Sequence, residues 1–168
     1  MSDNQPQPPL TNDERTSLET FLDVQRAAFI RKCADLTTEQ SLEPLMPSSP
    51  LMTLFGLAKH LRSAEWWWCT KVLAGADEED PFGWTDEDPD AEFRHVEGET
   101  IGSVLAEYES ECARSRAVTS SMGLDDLALM KDRAVSVRWV LLHLIEETAR
   151  HDGHADLLRE AVDGLKGC

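Results

Sequence analysis

Residues 135 to 162 constrain the fold more than any other stretch of this sequence. They read VSVRWVLLHLIEETARHDGHADLLREAV, with no proline and with apolar residues returning every three or four positions. That period predicts one long helix, from about Val135 to Val162, ending at Gly164. A helix of this length cannot bury its stripe alone, so it needs several partner helices.

Its apolar face carries two residues that do not belong in oil. At about 100° per residue, Val140, Leu144, Leu158, Val162 and His151 all fall within about 60° of Glu147. Arg138, Glu146, Asp152, Arg159 and Glu160 point elsewhere. Glu147 and His151 therefore project from the stripe. A buried carboxylate without a partner costs several kcal/mol or a large rise in pKa. A hydrogen bond to His151 along the helix would satisfy it. So would a metal ion, which takes a carboxylate oxygen and an imidazole nitrogen at this spacing. An ordinary pair one turn apart accounts for these residues as well as a ligand pair does. His143 and His154 lie near the same face, and periodicity alone lets either replace His151.

The partners are readable. From Asn12 an apolar pattern runs through Leu18, Leu22, Phe29 and Leu36. A loop with Pro44 and Pro47 follows. Ser49 and Pro50 suit the start of a second helix, which runs to Gly75. It carries His60, at the flank of a stripe made by Leu57, Leu61, Ala64 and Trp68. A third helix fits residues 100 to 122, with a stripe of Ile101, Val104, Leu105, Tyr108, Cys112 and Val118. Residues 124 to 136 read as a connector holding a short strand or turn. The expectation is an all-α four-helix bundle with long crossover connections, a single unit over residues 11–165 after a disordered tail over 1–10.

Residues 66 to 68 are three tryptophans, which must point three ways around a helix. Trp68 is expected in the core and Trp66 outward, covered by Phe82 and Trp84 folding back or by a partner chain.

Charge excludes some functions. The 168 residues hold 16 basic and 32 acidic side chains, a formal charge of -16. Nucleic acid and anionic membranes need cationic surface, so neither is expected as a partner. Residues 76 to 92 concentrate the acid and read as a solvated loop. A calcium loop does not fit, because the turn glycine and the closing Glu are missing. His95, just beyond, reads as a surface residue. The cysteines (33, 69, 112 and 168) form no CxxC pair, so neither a zinc-thiolate site nor a redox pair is signalled. Cys168 reads as an exposed thiol without a task. The polar, acidic start lacks the features of a signal peptide, which points to the cytoplasm.

Two segments, GLAKHLRSAEWWW and HLIEETARHDGHADLLREAVDG, resemble the DinB-like superfamily of metal-binding four-helix bundles. The resemblance spans Asn12 to Gly164. It implies one ligand from the second helix and two, four residues apart, from the last: here His60, Glu147 and His151. Many members have histidine where Glu147 stands. The mycothiol-dependent maleylpyruvate isomerase branch is similar to this chain in having Glu there. The resemblance implies a divalent ion, zinc before nickel, iron or manganese, with open positions for water or substrate. It implies a low-molecular-weight thiol such as mycothiol, activated as thiolate and attacking a small electrophile. His154 and Arg150 stand beside the ligands, and no general base is assigned. The isomerases carry extra sequence after the bundle, so a thiol S-transferase is expected ahead of an isomerase. A metal-binding protein without turnover is the other reading. A homodimer is compatible with the superfamily.

Overall fold

The computed structural model describes residues 7–166. The tail expected over residues 1–10 lies largely outside them, as does Cys168. The chain is mostly helical. Helix α1 is Glu14–Cys33, α2 is the single turn Thr38–Ser41, α3 is Leu54–Glu65, α4 is Ile101–Ser120 and α5 is Val137–Asp163. An antiparallel hairpin, β1 (Leu127–Met130) with β2 (Arg133–Ser136), pairs Leu127 with Ser136 and Met130 with Arg133. The mostly helical chain departs from the all-α expectation by this small sheet, which forms in the connector where a short strand or turn is expected. Its two-residue turn needs φ 57° at Lys131. No Asn-Gly or Asp-Gly pair announces such a turn, so the sequence signals a strand or turn here without specifying a hairpin.

Caps set the helix starts. Thr100 and Ser136 accept from the backbone of Ser103 and Trp139 at the heads of α4 and α5. The start expected at Ser49 and Pro50 is displaced. Thr53 is the cap, its hydroxyl accepting from Gly56 N–H at 2.9 Å. Residues 49 to 52 instead fold back over the helix. A Cβ at Gly56 would stand 2.5 Å from the Leu51 carbonyl oxygen, so the close approach of this segment requires glycine.

Beyond Glu65 the helix continues as a π-helical segment, Trp66–Leu73, and ends near Gly75 at φ 62°. Bonding to the fifth residue instead of the fourth shifts every later side chain around the axis. The tryptophan assignment is also corrected. Trp66 is the buried one, 3% exposed, with Phe82 against it at 5.6 Å. Trp68 is half-buried, between Trp139 and His143. The acidic loop does fold back: Trp84 packs edge-on to Trp67 at 5.5 Å.

Helix α1 packs chiefly on α5, and α3 on α4. The apolar interior forms two clusters. One gathers Phe29, Phe55, Leu61, Tyr108 and Leu158. The other gathers Leu22, Cys69, Val72, Leu141 and Leu144. A polar layer lies between them in the chain order of each helix. On α1, Arg26 falls between Leu22 and Phe29; on α3 and its extension, Glu65 falls between Leu61 and Cys69. These two form a buried ion pair. On α5 the same interval, Leu144 to Ala155, holds Glu147 and His151.

Candidate metal centre

Helix α3 supplies His60 and α5 supplies Glu147 and His151. The i, i+4 spacing on α5 puts both side chains over the same turn. Nε2 of His60 lies 3.0 Å from Oε1 of Glu147, and Nε2 of His151 lies 3.2 Å from the same oxygen. The three donor atoms all fall within 4.8 Å of one another. Ligands bound at about 2.0–2.1 Å to a tetrahedral ion stand about 3.3 Å apart. Two imidazoles and one carboxylate at this separation fit a divalent ion.

None of the three is deep in the core. Their side chains keep 14–20% exposure, so the group sits at the flank of the stripe, open to the outside. Beside His151 a cleft of about 620 Å³ opens, bounded by the Ser48–Met52 segment, Phe93 and Arg94. Leu51, Met52, Leu57 and Phe93 give it an apolar wall.

Electrostatics favour a cation at His151 and Glu147, while His60 holds its proton more tightly and must release one to bind an ion. Burial and the nearby His60 push the His151 imidazole down to about 4, so at neutral pH it is neutral with a free lone pair. Burial opposes charge on His60, yet hydrogen bonds to Glu92 and Glu147 prevail and raise its pKa above the ordinary value. Burial likewise opposes charge on Glu147, and the bonds from His60 and His151 hold its carboxyl below the usual range.

The two histidines left open as alternatives go elsewhere. His143 stacks on Trp139, with centroids 5.0 Å apart. His154 meets the far side of His151, Nδ1 to Nδ1 at 3.2 Å. His95 is exposed, against the edge of Phe55.

Sequence reasoning misses Glu92. It belongs to the acidic run, yet it is 6% exposed and accepts the Nδ1–H of His60 at 2.7 Å. Nothing in its local sequence separates it from the eight carboxylates before it.

Two residues expected to face outward on α5 are also buried. Arg159 donates to the carbonyls of Lys32 and Ala34 at 2.9 and 2.6 Å, closing the end of α1. Asp152 is 5% exposed, and neither carboxylate oxygen has a hydrogen bond; the nearest cation, Lys32 Nζ, is 3.7 Å away. Burial raises its pKa to about 7, with Lys32 pulling back and Asp156 adding to the rise. The folded chain therefore holds this proton more tightly than the unfolded chain. The resulting stability is full below the normal carboxylate pKa and is lost as pH rises through about 7. The urea midpoint is expected to fall between about pH 5 and about pH 8, and Asp152→Asn to flatten that slope. An unchanged slope in the variant would remove Asp152 as its cause.

The three described cysteines are all buried. Burial pushes the Cys33 and Cys69 thiols up to about 12, and Cys112 higher still. None of them is poised as a nucleophile at neutral pH.

Long helices that bring two imidazoles and a carboxylate to one point beside an open cleft define a helical protein with a candidate metal centre. The family model described as mycothiol-S-transferase matches residues 17–164, and the chain belongs to this DinB-like family. No curated protein and no solved structure matches it. Among the described residues, no helix is long and apolar enough to cross a membrane.

Proposed function

We propose that this chain is a divalent-metal-dependent thiol S-transferase, with zinc as the ion, mycothiol as the thiol and a small electrophile as acceptor. The observation that carries the reading is the convergence of His60, Glu147 and His151, with His151 lining an open cleft, in a chain of this family. Three protein ligands leave a coordination position open, the pattern of a catalytic ion and not a structural one. The bound ion would supply the positive charge that keeps a thiol deprotonated at neutral pH.

The chain's own part is positioning and exclusion. His60, Glu147 and His151 would hold the charge beside the cleft, which His151 lines. The apolar wall of Leu51, Met52, Leu57 and Phe93 receives the electrophile and keeps water from it. The described thiols of the chain are buried, which supports a dissociable small molecule as the source of the sulfur nucleophile. The fold that accompanies this reading is a four-helix bundle of DinB-like type over residues 11–165, made by α1, α3 with its π-helical extension, α4 and α5.

The test mixes zinc-loaded protein, mycothiol and a fluorogenic chloromethyl electrophile. The expected result is thioether and chloride release well above the rate of mycothiol alone, abolished by a chelator and restored by zinc. A chain that binds metal but leaves the rate at the thiol-only value is a binding protein without turnover, and the enzyme reading goes.

A further inference from the structure

Glu92 lies in residues 76 to 92, the stretch with nine carboxylates and no Lys or Arg. It is the buried carboxylate of that stretch, 6% exposed. A short 3₁₀ turn, Ala91–Phe93, lies against α3 and sends the Glu92 side chain inward. Both of its oxygens are occupied. Oε1 accepts Nδ1–H of His60; Oε2 accepts the hydroxyl of Ser63 and, at 3.0 Å, the indole N–H of Trp84. The next residue, Phe93, stacks on the His60 ring at 4.8 Å with 14° between planes. Lys59, the neighbour of His60, donates to the Arg94 carbonyl at 2.6 Å and fastens the segment to α3.

An imidazole binds a cation through one nitrogen only when that nitrogen carries no proton. The proton must then sit on the other nitrogen and be held there. A carboxylate is the strongest acceptor for it, because it also increases the donor power of the ring. A carboxylate buried without such a task would cost several kcal/mol. Here three donors converge on it, and the ring it orients faces Glu147 and His151.

We propose that Glu92 is the positioning residue of the candidate metal centre: it fixes His60 as the Nδ1–H tautomer and presents Nε2 to the ion. The inference rests on the metal-dependent reading above. It also gives part of the acidic loop a task, because the same segment brings Phe93 and Arg94 to the wall of the cleft.

The experiment is competition for zinc between the chain and a chromophoric chelator, run on wild type, Glu92→Ala, Glu92→Gln and Trp84→Phe. Affinity is expected to fall by about 10- to 100-fold in Glu92→Ala. Glu92→Gln keeps the volume and one acceptor oxygen, and is expected to lose less. Trp84→Phe removes one donor to Glu92 and is expected to lose least. In the zinc-loaded wild type, nitrogen NMR is expected to show a slowly exchanging Nδ1–H on His60 that Glu92→Ala loses. A role confined to packing would lower stability and leave both readouts unmoved. If Glu92→Ala does not fold, Glu92→Gln decides. Wild-type affinity in Glu92→Gln, with the His60 signal intact, overturns this inference and leaves the metal reading standing. A wild type that binds no zinc overturns both.

Discussion

His60→Ala, Glu147→Ala and His151→Ala are each expected to leave the purified chain without bound metal, while the wild type holds a stoichiometric amount. The expectation follows from the shared geometry. Oε1 of Glu147 stands 3.0 and 3.2 Å from the two imidazole nitrogens, so each side chain forms one edge of the same small polygon. Structural zinc sites gain about 10–16 kcal/mol from four ligands, or about 2.5–4 kcal/mol for each. Removing one of three should weaken binding by roughly 70- to 900-fold. His143→Ala serves as the control: His143 is held by Trp68 and Trp139, so this variant should keep its metal. Metal retained in any of the three ligand variants, or lost in His143→Ala, would refute the assignment. The readout is metal per chain by plasma mass spectrometry after dialysis.

The second large effect is on stability. Glu65→Ala is expected to destabilise the fold by about 3–5 kcal/mol, the usual cost of leaving one member of a buried ion pair alone. Arg26 is 4% exposed and Glu65 1%. The guanidinium grips the carboxylate with two bonds, Nε to Oε1 at 2.7 Å and a terminal nitrogen to Oε2 at 2.6 Å. Burial opposes the charge on Arg26, and Glu65 more than restores it. Without Glu65 the nearest compensation is Asp23, half out in solvent. At roughly 2–4 °C per kcal/mol for a chain of this size, the melting temperature should drop by roughly 6–20 °C. The double variant Arg26→Met with Glu65→Leu should recover most of the loss, since two well-packed apolar groups can replace a buried pair. A Glu65→Ala variant melting within about 2 °C of wild type would show that the pair is not isolated from water.

Much of the candidate site's geometry was legible because helices repeat. One residue every 100° is a rule that needs no partner, so the placement of Glu147 beside His151 could be read from their spacing alone. His60 could be placed at a flank by the same rule. The choice among His143, His151 and His154 could not be made that way, because all three lie within reach of the same stripe. What stands opposite separates them in the fold: Trp68 and Trp139 claim His143, while His60 meets His151. The outward assignments of Asp152 and Arg159 fail for a related reason. The buried arc of α5 is wider than its apolar stripe, since the end of α1 covers polar residues there and pairs with them.

The amino-acid sequence by itself determined the long helices, the end of α5 at Gly164 and the meeting of an acid and an imidazole one turn apart. These depend on contacts between near neighbours in the chain, and local periodicity reports them faithfully. Only the tertiary structure decided that Trp66 is the buried tryptophan, that Arg26 and Glu65 pair across the core, and that Glu92 leaves the acidic surface to hold His60. Arg26 and Glu65 are separated by 39 residues, and His60 and Glu92 by 32. A charged group becomes stable inside only when a partner of opposite character arrives from elsewhere in the chain. Such partners meet only when the helices pack.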